Sequence, residues 1–159
     1  MNAVKAGDVV QLSPLVRRVT ANNPGAMTGA GTNCYLIGRA EIAVLDPGPA
    51  DPAHIDAILT AAGESKVRWI VATHTHPDHS PAAALLSAKT GAELVGCVLA
   101  DDGHQDRSFQ VDSNVRHGDL IMGKDFTLEA IATPGHVANH FCYLLREEGQ
   151  VFTGDHIMG

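Results

Sequence analysis

A chain of 159 residues is long enough to bury one sizeable core and too short for several ordinary domains. Its formal net charge of −7 denies it the clustered lysine and arginine that draw nucleic acid from a distance, although bound divalent metal would cancel part of that charge. Its three cysteines, Cys34, Cys97 and Cys142, have no paired spacing, which argues against a disulfide scaffold and for a reducing compartment.

Met1 to Lys5 opens no continuous apolar run and no cleavage signal, so neither export nor a membrane span is expected, and the cytoplasm is the expected location. Val9–Leu12 and Val16–Thr20 read as short strands broken at Ser13-Pro14, where proline removes a ladder donor. Arg17-Arg18, the basic pair, is expected at a solvated strand edge. Asn22-Asn23-Pro24-Gly25 is turn chemistry, prolonged by Gly29-Ala30-Gly31. Cys34–Ile37 and Glu41–Leu45 form a hairpin around Gly38-Arg39, and Cys34, like Cys142, is expected buried as a small hydrophobe.

Asp51 caps a helix that begins at Pro52, presents Ile55, Ile58, Leu59 and Ala62 on one face, and stops at Gly63. Val67–Ala72 reads as a buried strand. Ser80-Pro81 repeats the cap-plus-proline start, for a helix over Ala82–Lys89 ended by Gly91. Leu94–Val95 is a short strand, and Ala100 to Gly118 is a long polar loop or poorly ordered excursion. Phe126–Ala132 alternates as a strand, and Phe141–Leu145 pairs with Val151–Thr153 across Glu147-Glu148-Gly149.

The chemistry is concentrated in His74, His76, Asp78 and His79, directly after the Val67–Ala72 strand. In extended chain, side chains two apart point the same way, so His74 and His76 can grip one ion. A turn at Pro77 lets Asp78 and His79 face a second point nearby. Imidazole and carboxylate are the ligands expected of catalytic zinc, which keeps a position open for water. Thr133-Pro134-Gly135-His136 adds a further histidine at a strand end, and Thr153-Gly154-Asp155 adds a carboxylate able to bridge two ions. Several strand ends converging on one site would produce this recurrence. His140 is a candidate substrate-binding donor or, equally, a structural hydrogen bonder. His54, His104, His117 and His156 are read as ordinary surface or helix histidines.

His-x-His-x-Asp-His, Thr-Pro-Gly-His and Gly-Asp, in this order, resemble the motif series of the metallo-β-lactamase superfamily. Asn22 to Asn33, His136 to His140 and Gly154-Asp155-His156 are similar to its β-lactamase-like protein 2 branch and bacterial relatives, known members of which include an endoribonuclease. The resemblance implies an α/β fold, an αβ/βα sandwich with metals at one edge of two sheets. It places His74, His76 and His136 on a first metal and Asp78 and His79 on a second, with Asp155 bridging and Asp46 supporting the site. Two zinc ions are implied, with manganese or iron as alternatives. The family takes a further histidine from a strand downstream of Gly-Asp, so residues 1–159 are expected to be the N-terminal portion of such a domain, lacking its C-terminal part, with uncovered sheet surface that invites association or partial disorder.

The implied activity is hydrolysis of an ester, thioester, lactam or phosphodiester by a metal-activated hydroxide, with Asp78 orienting the nucleophile and relaying its proton. The branch resemblance favours an RNA substrate, whereas the acidic charge favours a small molecule. Lactam antibiotics fit less well without an export signal. A single-iron sulfur oxygenase and a catalytically impaired metal-binding fragment are the competing expectations.

Overall fold

The structure, a computed structural model, describes residues 5–99 and 103–157. β1 (Val9–Gln11), β2 (Val16–Thr20), β3 (Asn33–Ile37) and β4 (Glu41–Leu45) run as an antiparallel meander. β5 (Lys66–Val71), β6 (Glu93–Gly96) and β7 (Ser113–Asn114) extend the sheet in parallel, giving the order β1 to β7. Parallel neighbours need a crossover, and α1 (Pro52–Ala62) and α2 (Ala82–Thr90) supply the first two. β8 (Leu120–Met122), β9 (Thr127–Ala132), β10 (Phe141–Leu145) and β11 (Gln150–Phe152) form a second, antiparallel sheet in the order β11-β10-β9-β8.

The continuous apolar runs of β4 and β5 follow from burial on both faces. Ile42, Val44 and Ile70 join Ile55, Ile58 and Leu86 beneath the helices. Their neighbours Ala43, Leu45 and Val71 point the other way, into a core shared with Leu128, Tyr143 and Phe152 of the second sheet. The molecule is therefore layered helix, sheet, sheet, and the α/β sandwich expected from the sequence is present. Cys34 and Cys142 are buried free thiols, as expected.

Asp51 caps α1 by accepting from the Ala53 amide at 3.0 Å. Ser80 does not cap α2. The N-cap position is Pro81, with no side-chain bond, because the Ser80 hydroxyl is drawn instead to the Asp106 carboxylate at 2.7 Å. Arg17 and Arg18 are not at a sheet edge, since β1 covers β2 on that side. Arg17 is half-buried and donates to the carbonyls of Ala61 at 2.6 Å and Gly38 at 3.2 Å, and burial lowers its pKa.

The polar stretch expected as an excursion is built into the fold over residues 103–118, while residues 100–102 lie outside the described residues. β7 pairs with β6, and Phe109 is buried beneath the helices. β8 escaped the sequence reading because it is three residues long and exposes both of its end side chains, Leu120 and Met122.

Phe126 is the wedge between the layers. It meets Trp69 edge to face, with centroids 5.8 Å apart. Gly38, at φ +101°, lets it in, for a Cβ there would sit 2.6 Å from Phe126 Cδ1. Phe126→Ala should cost about 3–5 kcal/mol in urea unfolding. Phe126→Leu should cost distinctly less.

Candidate metal centre

Strand ends build the site. β5 leaves the sheet at Val71 and passes through Ala72 and Thr73 into the turn His74 to His79. β9 ends at Ala132 ahead of the loop 133–140, and β11 runs into a 3-10 turn, Gly154–His156. Backbone bonds pin these ends together: Phe141 N to Thr73 O at 2.8 Å, Thr133 N to His140 O at 3.0 Å, and Asp46 N to Val71 O at 2.8 Å. The two sheets are thus stitched at the point where the polar side chains emerge.

His74, His76, His136 and Asp155 each offer an atom such that all lie within 4.8 Å of one another; Asp78, His79 and Asp155 form a second such group. His76 Nδ1 is 3.1 Å from both His74 Nε2 and His136 Nε2. Asp155 Oδ2 lies 3.4 Å from His136 Nε2 and 3.8 Å from His74 Nε2. Ligands tetrahedrally placed about 2.0–2.1 Å from one zinc are about 3.3 Å apart, so the donor spacing fits such an ion. On the other side, His79 Nε2 is 3.3 Å from Asp155 Oδ1 and 3.5 Å from Asp78 Oδ2. The cluster could hold one metal ion in each group, with Asp155 common to both.

Asp46 sets the tautomers. It is buried and, alone among the described non-glycine residues, has a positive φ, 49°. Its Oδ1 accepts from the Thr73 amide at 2.8 Å, and its Oδ2 from the Thr73 hydroxyl at 2.8 Å and from His79 Nδ1 at 3.0 Å. Having given its only proton to Asp46, Thr73 Oγ1 must accept from His74 Nδ1, 3.1 Å away. Both His74 and His79 therefore turn Nε2 into the site, and His74 presents it as a lone pair.

Burial, reinforced by the neighbouring imidazoles, lowers the pKa of His74 and keeps it neutral. Burial followed by His136 does the same for His76. For His79, burial opposes the charge, but Asp46 outweighs it with help from Asp155 and Asp78, and the pKa is raised. The hydrogen bond from His79 holds the carboxyls of Asp78 and Asp155 below their ordinary values.

All six residues expected as ligands are thus gathered. His140 lies beside these ligands, with its Nε2 unpartnered among the described residues. It is fully buried, its Nδ1 meets Thr133 Oγ1 at 2.9 Å, and its ring lies 5.1 Å from that of His74. Burial pushes its pKa down to about 4. His54 is buried in α1, while His104, His117 and His156 are exposed. Sequence reasoning missed Thr73, Thr75, Asp106 and Asn139, uncharged partners and one loop carboxylate with no motif signal of their own.

A cavity of 630 Å³ opens on the Asp78, His79 and Asp155 side, walled by Met27, Asn33, Tyr35 and Val151. No lysine or arginine among the described residues lines it. Among the described residues no helix is long and apolar enough to cross a membrane.

Residues 27–158 match the model of the metallo-beta-lactamase superfamily, and the chain belongs to that superfamily. It is 34% identical over 158 residues to an atrochrysone carboxyl ACP thioesterase of Aspergillus chevalieri, covering 96% of this chain and 48% of that protein. It is 33% identical over 155 residues to a lactamase-like protein of Arthroderma benhamiae, covering 96% of this chain and 34% of the relative. The chain thus spans about a third to a half of the length of the curated relatives it matches. A metallo-beta-lactamase from Cronobacter sakazakii superposes with a TM-score of 0.72 at 21% identity, over 90% of this chain and 61% of that one, which shows the shared fold. ETHE1 from Myxococcus xanthus superposes with a TM-score of 0.68 at 27% identity, over 91% of this chain and 59% of that one.

Asp46→Ala would leave the Thr73 amide and hydroxyl and a buried imidazole unpaired. It should destabilise the protein by about 3–5 kcal/mol in denaturant titration, the cost of breaking a buried charged pair from one side. Asp46→Asn, which keeps an acceptor oxygen, should cost less.

Proposed function

We propose that the chain carries the metal centre of a hydrolase that cleaves an acyl ester or thioester. The observation that carries this reading is the pair of donor groups sharing Asp155 at the mouth of the cavity. His74, His76 and His136 would hold a first ion, Asp78 and His79 a second, and Asp155 would bridge them. Zinc suits this mixture of imidazole and carboxylate, with manganese or iron the alternatives. Divalent ions bound there would supply Lewis acidity toward a carbonyl oxygen and lower the pKa of water.

The chain's own groups do the rest. Asp78, a carboxylate beside the second donor group, accepts from the attacking water, orients it, and holds its proton in passage. The water oxygen bonds to the carbonyl carbon, the carbon–sulfur or carbon–oxygen bond breaks, and the proton leaves with the thiol or alcohol. Thioester is favoured over phosphodiester on two grounds. Relatives covering nearly all of this chain are named thioesterases, and no lysine or arginine among the described residues lines the cavity to meet a phosphate's charge. The unpaired cysteines fit a reducing, cytoplasmic setting. A single-iron sulfur oxygenase would need only the first donor group, so the second favours hydrolysis by a metal pair.

Elemental analysis of the purified chain should find two zinc ions per molecule, and hydrolysis of an acyl-N-acetylcysteamine should vanish with chelation and return with zinc. Asp78→Ala should lower kcat by about 10²- to 10⁴-fold. One tightly held iron with oxygen-dependent turnover would replace this reading with the oxygenase. Two zinc ions without turnover would leave a metal-binding fragment. No metal after zinc is added back would end the metal reading altogether.

A further inference from the structure

We propose that Asn139 and Thr75 are positioning residues, which lock the loop carrying His136 to the strand end carrying His74 and His76. Their bond holds the three imidazoles at metal-binding separation. The proposal rests on the reading of those histidines as ligands.

Thr75 stands between His74 and His76 in the turn that follows β5. It is buried, and its hydroxyl makes its bonds outside the donor cluster. There the Asn139 amide nitrogen, three residues beyond His136, donates to Thr75 Oγ1 at 2.8 Å and to the Cys97 carbonyl at 2.8 Å, with Gln105 Oε1 at 3.4 Å. The Thr75 hydroxyl in turn donates to Gln105. The next residue closes the bracket from outside: Asp106 N reaches the Thr75 carbonyl at 2.6 Å, and its Oδ2 takes the Ser80 hydroxyl at 2.7 Å. The turn bearing His76, Asp78 and His79 is thereby held at both ends.

Only a side chain with two N–H donors can join Thr75 and Cys97 in this way, which is why an amide stands at 139. Asn139 is almost fully buried, yet its Oδ1 has no partner among the described residues. An orphaned buried oxygen lowers stability. An apolar residue would pack there without that cost but could not fix the separation of the two ligand loops. Ligands held from behind in this way bind metal more tightly because less ordering remains for the ion to enforce.

The test is cobalt(II) titration of the full chain and of Thr75→Val, Thr75→Ser and Asn139→Ala, reading the visible d–d spectrum and the affinity by chelator competition. Circular dichroism of each variant checks the fold. Thr75→Val and Asn139→Ala should weaken cobalt binding by about 10- to 100-fold and change the d–d band, whereas Thr75→Ser should stay within about threefold with an unchanged band. A folded Thr75→Val with the unmodified affinity and spectrum overturns the proposal, as does a Thr75→Ser that fails as badly as Thr75→Val. Should Thr75→Val not fold, Asn139→Ala decides alone, and unmodified affinity there is likewise fatal. An unmodified chain that binds no cobalt overturns the ligand reading itself, a different result from equal binding by all four proteins.

Discussion

The candidate metal centre is organised around one buried carboxylate. Asp46 ends β4 in a backbone conformation that L-residues seldom adopt, and its burial would be costly if it were left unpaired. Three donors satisfy it: the Thr73 amide, the Thr73 hydroxyl and His79 Nδ1. Because two of them come from the residue just before His74, the same bonds that stabilise the carboxylate bring the end of β5 alongside the end of β4. Tautomer selection follows from the same contacts. One acid thus joins two strand ends, aims two imidazoles, and need not touch a metal.

The segment Thr73 to His79 is held from two sides, by partners that come from different parts of the fold. His74 and His76 face the donor cluster, while Thr75 faces the amide of Asn139. Thr73 answers to Asp46, and Ser80 to Asp106. Ligands and anchors therefore interleave along one stretch of backbone. The second sheet takes part through Phe141 N bonding to Thr73 O at 2.8 Å and Tyr143 Oη to Ala72 O at 3.2 Å. Packing of the two sheets and spacing of the histidines are the same constraint seen at two scales.

The parts of this arrangement visible in the sequence were those whose signal is local. His74 to His79 declares itself because four ligand-type residues share six positions, and His136 and Asp155 because each follows an apolar strand with a glycine before it. The buried runs of β4 and β5 and the Asp51 cap were equally legible, since pattern and turn chemistry suffice there. Asn139 and Asp106 were not, because a side-chain amide or a loop carboxylate acquires its role only when strands distant in sequence meet. Ser80 misled for the opposite reason: its local promise as a cap lost to a charged acceptor that the fold brought near. His140 was left between two roles, and the fold buries it fully against Thr133.

Charge gives the site its direction. Asp46, Asp78 and Asp155 lie around His79, whose raised pKa shows how strongly they favour a positive charge at that point. A proton on His79 and a divalent ion at its Nε2 answer the same demand, so they compete, and metal uptake there must release the proton. Two divalent ions held as proposed, set against two site carboxylates and the buried Asp46, would leave about one unit of positive charge. That suits a neutral carbonyl, whose oxygen becomes negative only as the bond to water forms.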